Sequence, residues 1–264
     1  MSDSLLIRIY SFSFKNGHFG DPAGNGGGFV FDCRSLPNPG RNPDNMSLTG
    51  IDKPIIEELD SSSATQRFIE QSFAILKNAA DSYIRRNFSD IMASFGCTGG
   101  RHRSVYCAER VAAALKNAGY NVRLIHWQME KYDSRFFARR AMILAAGAGT
   151  RLKPLTGSKP KALVAAGGIP MLDWTIASLT KAGVNEIIVN AHHYRDDLEL
   201  YILNRDHNSD KLWVSTSVEE KLLGTGGGIR KAARYLHGPS PVMVHNVDVW
   251  TDFDLAEIYG NHYP

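Results

Sequence analysis

Three cysteines in 264 residues are too few for a disulfide framework, and Cys33, Cys97 and Cys107 lack the paired spacing of a zinc site. No apolar run of roughly eighteen residues occurs, so a helical membrane span is not expected. The start, Met-Ser-Asp-Ser-Leu-Leu-Ile-Arg, has neither an apolar signal core nor a cleavage site, and the expected location is reducing and cytoplasmic. An excess of one charge is also missing. Thirty basic residues face 27 acidic ones, for a net charge of +3, and neither half of the chain is a polycation. Nucleic-acid binding would therefore need a local patch rather than a global field.

Glycine is plentiful, at 24 residues, and its clusters sit where apolar segments end. The length predicts two domains. In the first half, Leu5–Phe14, Gly28–Asp32, Asp90–Phe95 and Asn121–Trp127 read as strands. Ser61–Arg86 has helical periodicity, with Ser63 as cap and Phe68, Phe73, Leu76, Ala80 and Tyr83 on a core face. Val105–Ala118 reads as a helix stopped by Gly119. Gly17–Gly28 is too glycine-rich to pack a core, so it is either mobile or approaches a ligand.

Between the third strand and the second helix lies Gly96-Cys97-Thr98-Gly99-Gly100-Arg101-His102-Arg103-Ser104. This order aims main-chain N–H groups at an anion. Two readings stay open. Cys97-x5-Arg103 has the spacing of a cysteine-dependent phosphatase, in which a thiolate attacks phosphorus. Alternatively, the loop simply holds a phosphate ester.

Longer motifs bear on the choice: Ser13-Phe-Lys15-Asn-Gly17, Phe31-Asp-Cys-Arg34-Ser-Leu-Pro-Asn-Pro39, Leu48-Thr-Gly-Ile-Asp52 and Phe95 to Val105. In order, they resemble the C-terminal domain of the RNase adapter family RapZ. The resemblance implies an α/β domain that forms homo-oligomers, binds an amino-sugar phosphate and, in some members, binds small RNAs. Carried over by motif, Cys97, Thr98, Gly99, Gly100, His102 and Arg103 are candidate phosphate ligands, while Arg34 and Lys15 are read either as further ligands or as surface or structural ion-pair partners. That family's kinase-like P-loop domain has no counterpart here. Its basic RNA-holding tail is replaced by Ile125-His-Trp-Gln-Met-Glu-Lys-Tyr-Asp133. Metabolite binding is thus the expected inheritance rather than RNA binding. The expected domains are residues 1–133 and 141–264. A short linker, 134–140, separates them, with Arg135, Arg139 and Arg140 read as solvated.

The second half opens on an apolar strand, Ala141–Ala146, that breaks into Gly147-Ala-Gly149-Thr150. Arg151, Lys153, Lys159 and Lys161 follow, with Pro154 and Pro160 stiffening the loop. Bare amides followed by fixed cations suit a polyphosphate. The spacing is neither that of a P-loop nor that of a dinucleotide site. Further strands at Asn185–Asn190, Leu212–Ser217 and Val242–Asn246 alternate with helices at Met171–Ala182, Tyr194–Asn204 and Gly226–Leu236. That alternation predicts a mostly parallel sheet with ligand at the strands' C-terminal ends. His192 and His193 would point to opposite faces, which argues against a shared metal. Leu222–Gly228 is either a tight loop only or a contact for a base and its sugar. Asp248, just after the last strand, is a lone carboxylate suited to Mg²⁺ beside phosphate oxygens.

Leu144-Ala-Ala-Gly-x-Gly-Thr-Arg-Leu-x-Pro-Leu-Thr156 with Lys159-Pro-Lys161 resembles the signature of sugar-1-phosphate nucleotidyltransferases, nearest in flavour to N-acetylmuramate-1-phosphate uridylyltransferases. The resemblance implies a Rossmann-like (GT-A-like) sheet, UTP and a sugar-1-phosphate as substrates, Mg²⁺ as cofactor, and a place in amino-sugar metabolism and cell-wall recycling. Leu144, Ala145, Ala146 and Gly147 would contact the nucleotide. Gly149, Thr150 and Arg151 would take the β- and γ-phosphates, Lys161 the α-phosphate and Asp248 the metal. Gly224, Thr225 and Gly226 would meet the base side. The family continues well past the equivalent of Asp248, so the expectation is a domain truncated at its C-terminus, with the nucleotide-binding half only. The fold class expected is two α/β domains. A regulator that binds nucleotide without turnover is the alternative function.

Overall fold

The computed structural model describes residues 5–262 except 22, 24, 26 and 205–211. Positions 22, 24 and 26, part of the glycine-rich segment singled out above, therefore lie outside the described residues. The chain divides into two units, Met1–Phe137 and Ala138–Pro264. Among the described residues, no helix is long and apolar enough to cross a membrane.

The first unit is built on β1 (Leu6–Ser13), β2 (Phe29–Asp32), β3 (Asp90–Cys97) and β4 (Asn121–His126). They lie in the order β2-β3-β1-β4, and every pair is parallel. β1 and β3 are buried along their whole length, as central strands of a parallel sheet must be. Helices α1 (Lys53–Asp60), α2 (Ser63–Arg85) and α3 (Arg103–Asn117) share one core with Ile7, Ile9, Ile91, Ala93 and Phe95. The expected face of α2 packs there: Leu76 and Ala80 are fully buried, and Phe68, Phe73 and Tyr83 pack around them. Its cap is Ser62 rather than Ser63, with the Ser62 hydroxyl accepting from the Thr65 N–H. Tyr10, Met92 and Ile125 form a smaller cluster with Phe19 and Trp127. The fully buried Arg8 pairs there with Asp90 and with Asp21, the latter at 2.7 Å.

The second unit has β5 (Arg140–Leu144), β8 (Glu186–Ala191), β9 (Trp213–Val218) and β10 (Val242–Asn246), in the order β10-β5-β8-β9, again all parallel. A hairpin of β6 (Ala165–Ala166) and β7 (Ile169–Pro170) precedes α4 (Met171–Lys181). The remaining helices are α5 (Arg195–Asn204), α6 (Gly224–Leu236) and α7 (Leu255–Gly260). The strand order reverses between β5 and β10, and crevices at such points are where open parallel sheets take their ligands.

The arginines read as solvated linker charges are engaged inside the units. Arg135 donates to Asp52 at 2.6 Å and to Asp133 at 2.8 Å. Arg139 donates to the Ala182 carbonyl. Arg140 is the first residue of β5, fully buried, with its Nε 2.8 Å from Glu186. Each finds an acceptor close by in the fold, which sequence spacing alone does not reveal.

Candidate nucleotide and phosphate sites

In the second unit, the register aligns Asn246, Leu144 and Asn190 across β10, β5 and β8. The segments that leave these positions build the site. Leu144 is half-buried, and Ala145 and Ala146 are buried. The N–H groups of Ala145 and Ala146 are already taken by Asn190 Oδ1, at 2.6 and 3.2 Å. Gly147 runs beside Lys161, whose Nζ would lie 3.7 Å from a Cβ at that position. Gly149 has φ +60°, in the left-handed region that disfavours a side chain. A Cβ there would also meet Thr156 Cγ2 at 2.8 Å and Lys161 Cβ at 2.9 Å. The Thr156 hydroxyl donates to the Gly149 carbonyl at 2.9 Å and ties the turn down.

Lys161 Nζ lies 3.2 Å from Asp248 Oδ1. The lysine side chain is 13% exposed and the aspartate 43%, so the pair sits at the mouth of the crevice. Thr150 and Arg151 are exposed in a short 3₁₀ turn, and no hydrogen bond or ion pair holds the Arg151 guanidinium among the described residues. Among the described residues, Lys161 is thus the site's cation paired to a carboxylate, while Arg151 has no side-chain partner.

Gly224, Thr225 and Gly226 are exposed, but they form the first turn of α6 rather than a loop ahead of it. His192 Nδ1 lies 2.8 Å from the Glu219 carbonyl, while His193 is exposed with its ring edge-on to Tyr194. The two histidines do not converge, and no group of three metal-ligating side chains occurs among the described residues. Asp254 caps α7 by accepting from the Ala256 N–H. Sequence reasoning did not identify Asn190 and Glu219 as a pair. Both are buried polar residues at strand ends, and only the fold brings them together.

In the first unit, the segment between β3 and α3 is held from several sides. The Thr98 carbonyl accepts from the Ser13 hydroxyl and the Lys15 N–H. Gly100, at φ +68°, passes so close to Ser13 and Gln128 that a Cβ would lie 2.9 Å from the Ser13 nitrogen. Gly99 is exposed and faces open space. The loop's basic side chains are bonded to main-chain carbonyls. His102 Nε2 meets the Asn45 carbonyl at 2.9 Å, and burial lowers its pKa so that it stays neutral near pH 7. Arg103 donates to the carbonyls of Arg34 and Leu36. Arg34 is exposed, paired with Asp32, and lies over the Phe14 ring at 4.1 Å. Cys97 is only 3% exposed, with its sulfur 3.2 Å from the Ser104 hydroxyl. A buried thiol and an arginine turned onto main-chain carbonyls are not the poised pair that phosphatase chemistry needs.

Each of the two parallel α/β units carries a glycine-bearing segment at its strands' C-terminal ends. Residues 5–130 match the family model of the RapZ C-terminal domain, and residues 140–264 match that of nucleotidyl transferases, so the chain carries these two domains in that order. A nucleotide-binding protein of Shewanella halifaxensis is 35% identical over 133 residues, which is 50% of this chain and 45% of that protein. One from Thermotoga neapolitana is 37% identical over 130 residues, 49% of this chain and 44% of its own length. The chain thus spans about half the length of the curated relatives it matches. Among solved structures, HddC from Yersinia pseudotuberculosis is 32% identical, covers 47% of this chain and 53% of its own, and aligns with a TM-score of 0.41.

Proposed function

We propose that the second unit transfers a nucleoside monophosphate from a triphosphate, UTP being the first to test, onto a sugar-1-phosphate with release of pyrophosphate. The observation behind this reading is the Lys161–Asp248 pair beside the Gly147–Gly149 turn, at the crevice where the strand order reverses. In this reading a sugar-phosphate oxygen attacks the α-phosphorus. The bond from that phosphorus to the bridging oxygen breaks, and pyrophosphate leaves with the electron pair. No covalent link to the chain forms, so the protein contributes position and charge.

Lys161 then leaves Asp248 for the α-phosphate, and Arg151 swings from solvent onto the departing phosphates. The turn lets the polyphosphate approach the backbone at Gly147, while Gly149 packs on Thr156 and Lys161. Asp248 fits a magnesium site of the kind completed by phosphate oxygens: its carboxylate is accessible, and no group of three metal-ligating side chains occurs among the described residues. When bound, the ion would neutralise charge on the triphosphate.

For the first unit, the proposed ligand is an amino-sugar phosphate, held by the amides of residues 99–103 at the start of α3 with Arg34 at the rim. His102 and Arg103 shape that loop instead of meeting the ligand directly. A pyrophosphate-release assay with a panel of triphosphates and sugar-1-phosphates tests the catalytic reading. Release with one pair of substrates supports it. Triphosphate binding without release from any pair would favour a regulator.

A further inference from the structure

The segments that follow β5 and β9 are joined by two buried side chains to which the roles above give no part. Asn190, near the end of β8, is 4% exposed, and Glu219, just after β9, is 1% exposed. Asn190 Oδ1 accepts from the N–H groups of Ala145 and Ala146. Its Nδ2 donates to Glu219 Oε1 at 2.9 Å, and Glu219 Oε2 accepts from the Leu223 N–H at 3.0 Å, at the entrance to α6. Main-chain N–H groups can only donate. With donors at both ends, the amide must turn its oxygen toward β5, and both oxygens of Glu219 must accept. Gly228, in the second turn of α6, presses on the same pair. A Cβ there would sit 2.7 Å from Glu219 Oε1 and 2.9 Å from Asn190 Nδ2.

We propose that Asn190 and Glu219 are positioning residues. They form a hydrogen-bonded relay of fixed polarity that sets the β5 turn and the start of α6 in one mutual geometry. This rests on the triphosphate reading of that crevice, in which the turn meets the phosphates and the helix start meets the base. A relay of this kind rejects single changes and accepts an exchange. Glu219→Gln puts an NH₂ group against one of two donors. Asn190→Asp puts a second carboxylate against Glu219. Asn190→Asp combined with Glu219→Gln again offers acceptors to all three main-chain N–H groups and keeps the total charge.

The test uses the full chain, the two single variants and the exchanged pair, with folding checked by circular dichroism. Mg-UTP and Mg-GTP affinities are measured by calorimetry, and amide hydrogen exchange is followed at Ala145, Ala146 and Leu223 without ligand. Each single variant should lose roughly tenfold or more in triphosphate affinity, the size expected for one lost hydrogen bond to a charged group. Each should also speed exchange on both segments, and the exchanged pair should recover both properties. Folded single variants with unchanged affinity would overturn the relay, as would an exchanged pair no better than either single change. If the single variants do not fold, the exchanged pair decides: a restored fold with affinity supports the relay, and a restored fold without it overturns it. If the unaltered chain binds no triphosphate, the functional reading fails by itself. Hydrogen exchange then judges the relay, and acceleration confined to the mutated side would overturn it.

Discussion

Lys161 shows how one side chain can serve a site before any ligand arrives. Its ammonium is held by Asp248, so the crevice is neither a bare cation nor a bare carboxylate. Gly149 keeps that geometry by having no side chain. Gly149→Ala should cost about 1–2 kcal/mol for the left-handed backbone, read by urea unfolding, and it should weaken triphosphate binding by displacing Lys161. The buried Arg8 supplies a second case. Asp90→Ala would leave a buried guanidinium short of one partner and should cost about 3–5 kcal/mol. The acid dependence of the first unit has a named contributor in Asp52. The side-chain hydrogen bond from Arg135 comes first among the causes that lower the Asp52 pKa from 3.8 to about 2. A lowered folded-state pKa means the contribution is complete above the unfolded value and is lost as pH falls through about 2. Asp52→Asn should therefore flatten the fall in thermal stability between about pH 4 and pH 2. An unchanged slope would assign that fall to other carboxylates.

Strands and long helices were legible in the sequence because their apolar periodicity is strong. Ala141–Ala146 and Asp90–Phe95 reappear as β5 and β3, within a residue or two at each end. Shorter elements carry weaker sequence signals. Helix α1 is signalled only by Asp52, by Pro54 in its first turn and by the spacing of Ile55 and Leu59, while β6–β7 is a two-residue ladder around Gly167 and Gly168. The order of strands was not legible, since neighbours such as β1 and β3 lie some eighty residues apart (Leu6 opposite Asp90). Nor could spacing show that His102 and Arg103 bond to the main-chain carbonyls of Asn45, Arg34 and Leu36. The start of α6 gives a test of what its glycines are for. Gly226 has open space around it and an ordinary backbone angle, so Gly226→Ala should stabilise the helix by about 0.5–1 kcal/mol. A gain in stability with a loss of nucleotide affinity would mark the glycine as kept for close approach of a ligand.

The two units have separate hydrophobic cores, one around Ile7, Ile9 and Phe95 and the other around Ile143, Leu172 and Val189. Ligands should therefore act on them separately. In scanning calorimetry, a triphosphate at a hundredfold excess over its Kd should stabilise the second unit by about 2.7 kcal/mol and leave the first unchanged. On the proposal for the first unit, an amino-sugar phosphate should do the reverse. In the proposed function, the glycine turn after β5 with Arg151 and Lys161 holds a triphosphate tail. The direct measurement is calorimetric titration of Mg-UTP and Mg-GTP into the full chain and into the variant Arg151→Ala with Lys161→Ala. Binding that falls at least roughly a hundredfold in the variant is the predicted result, as two charge-assisted contacts are removed. Equal affinity in both proteins would contradict it.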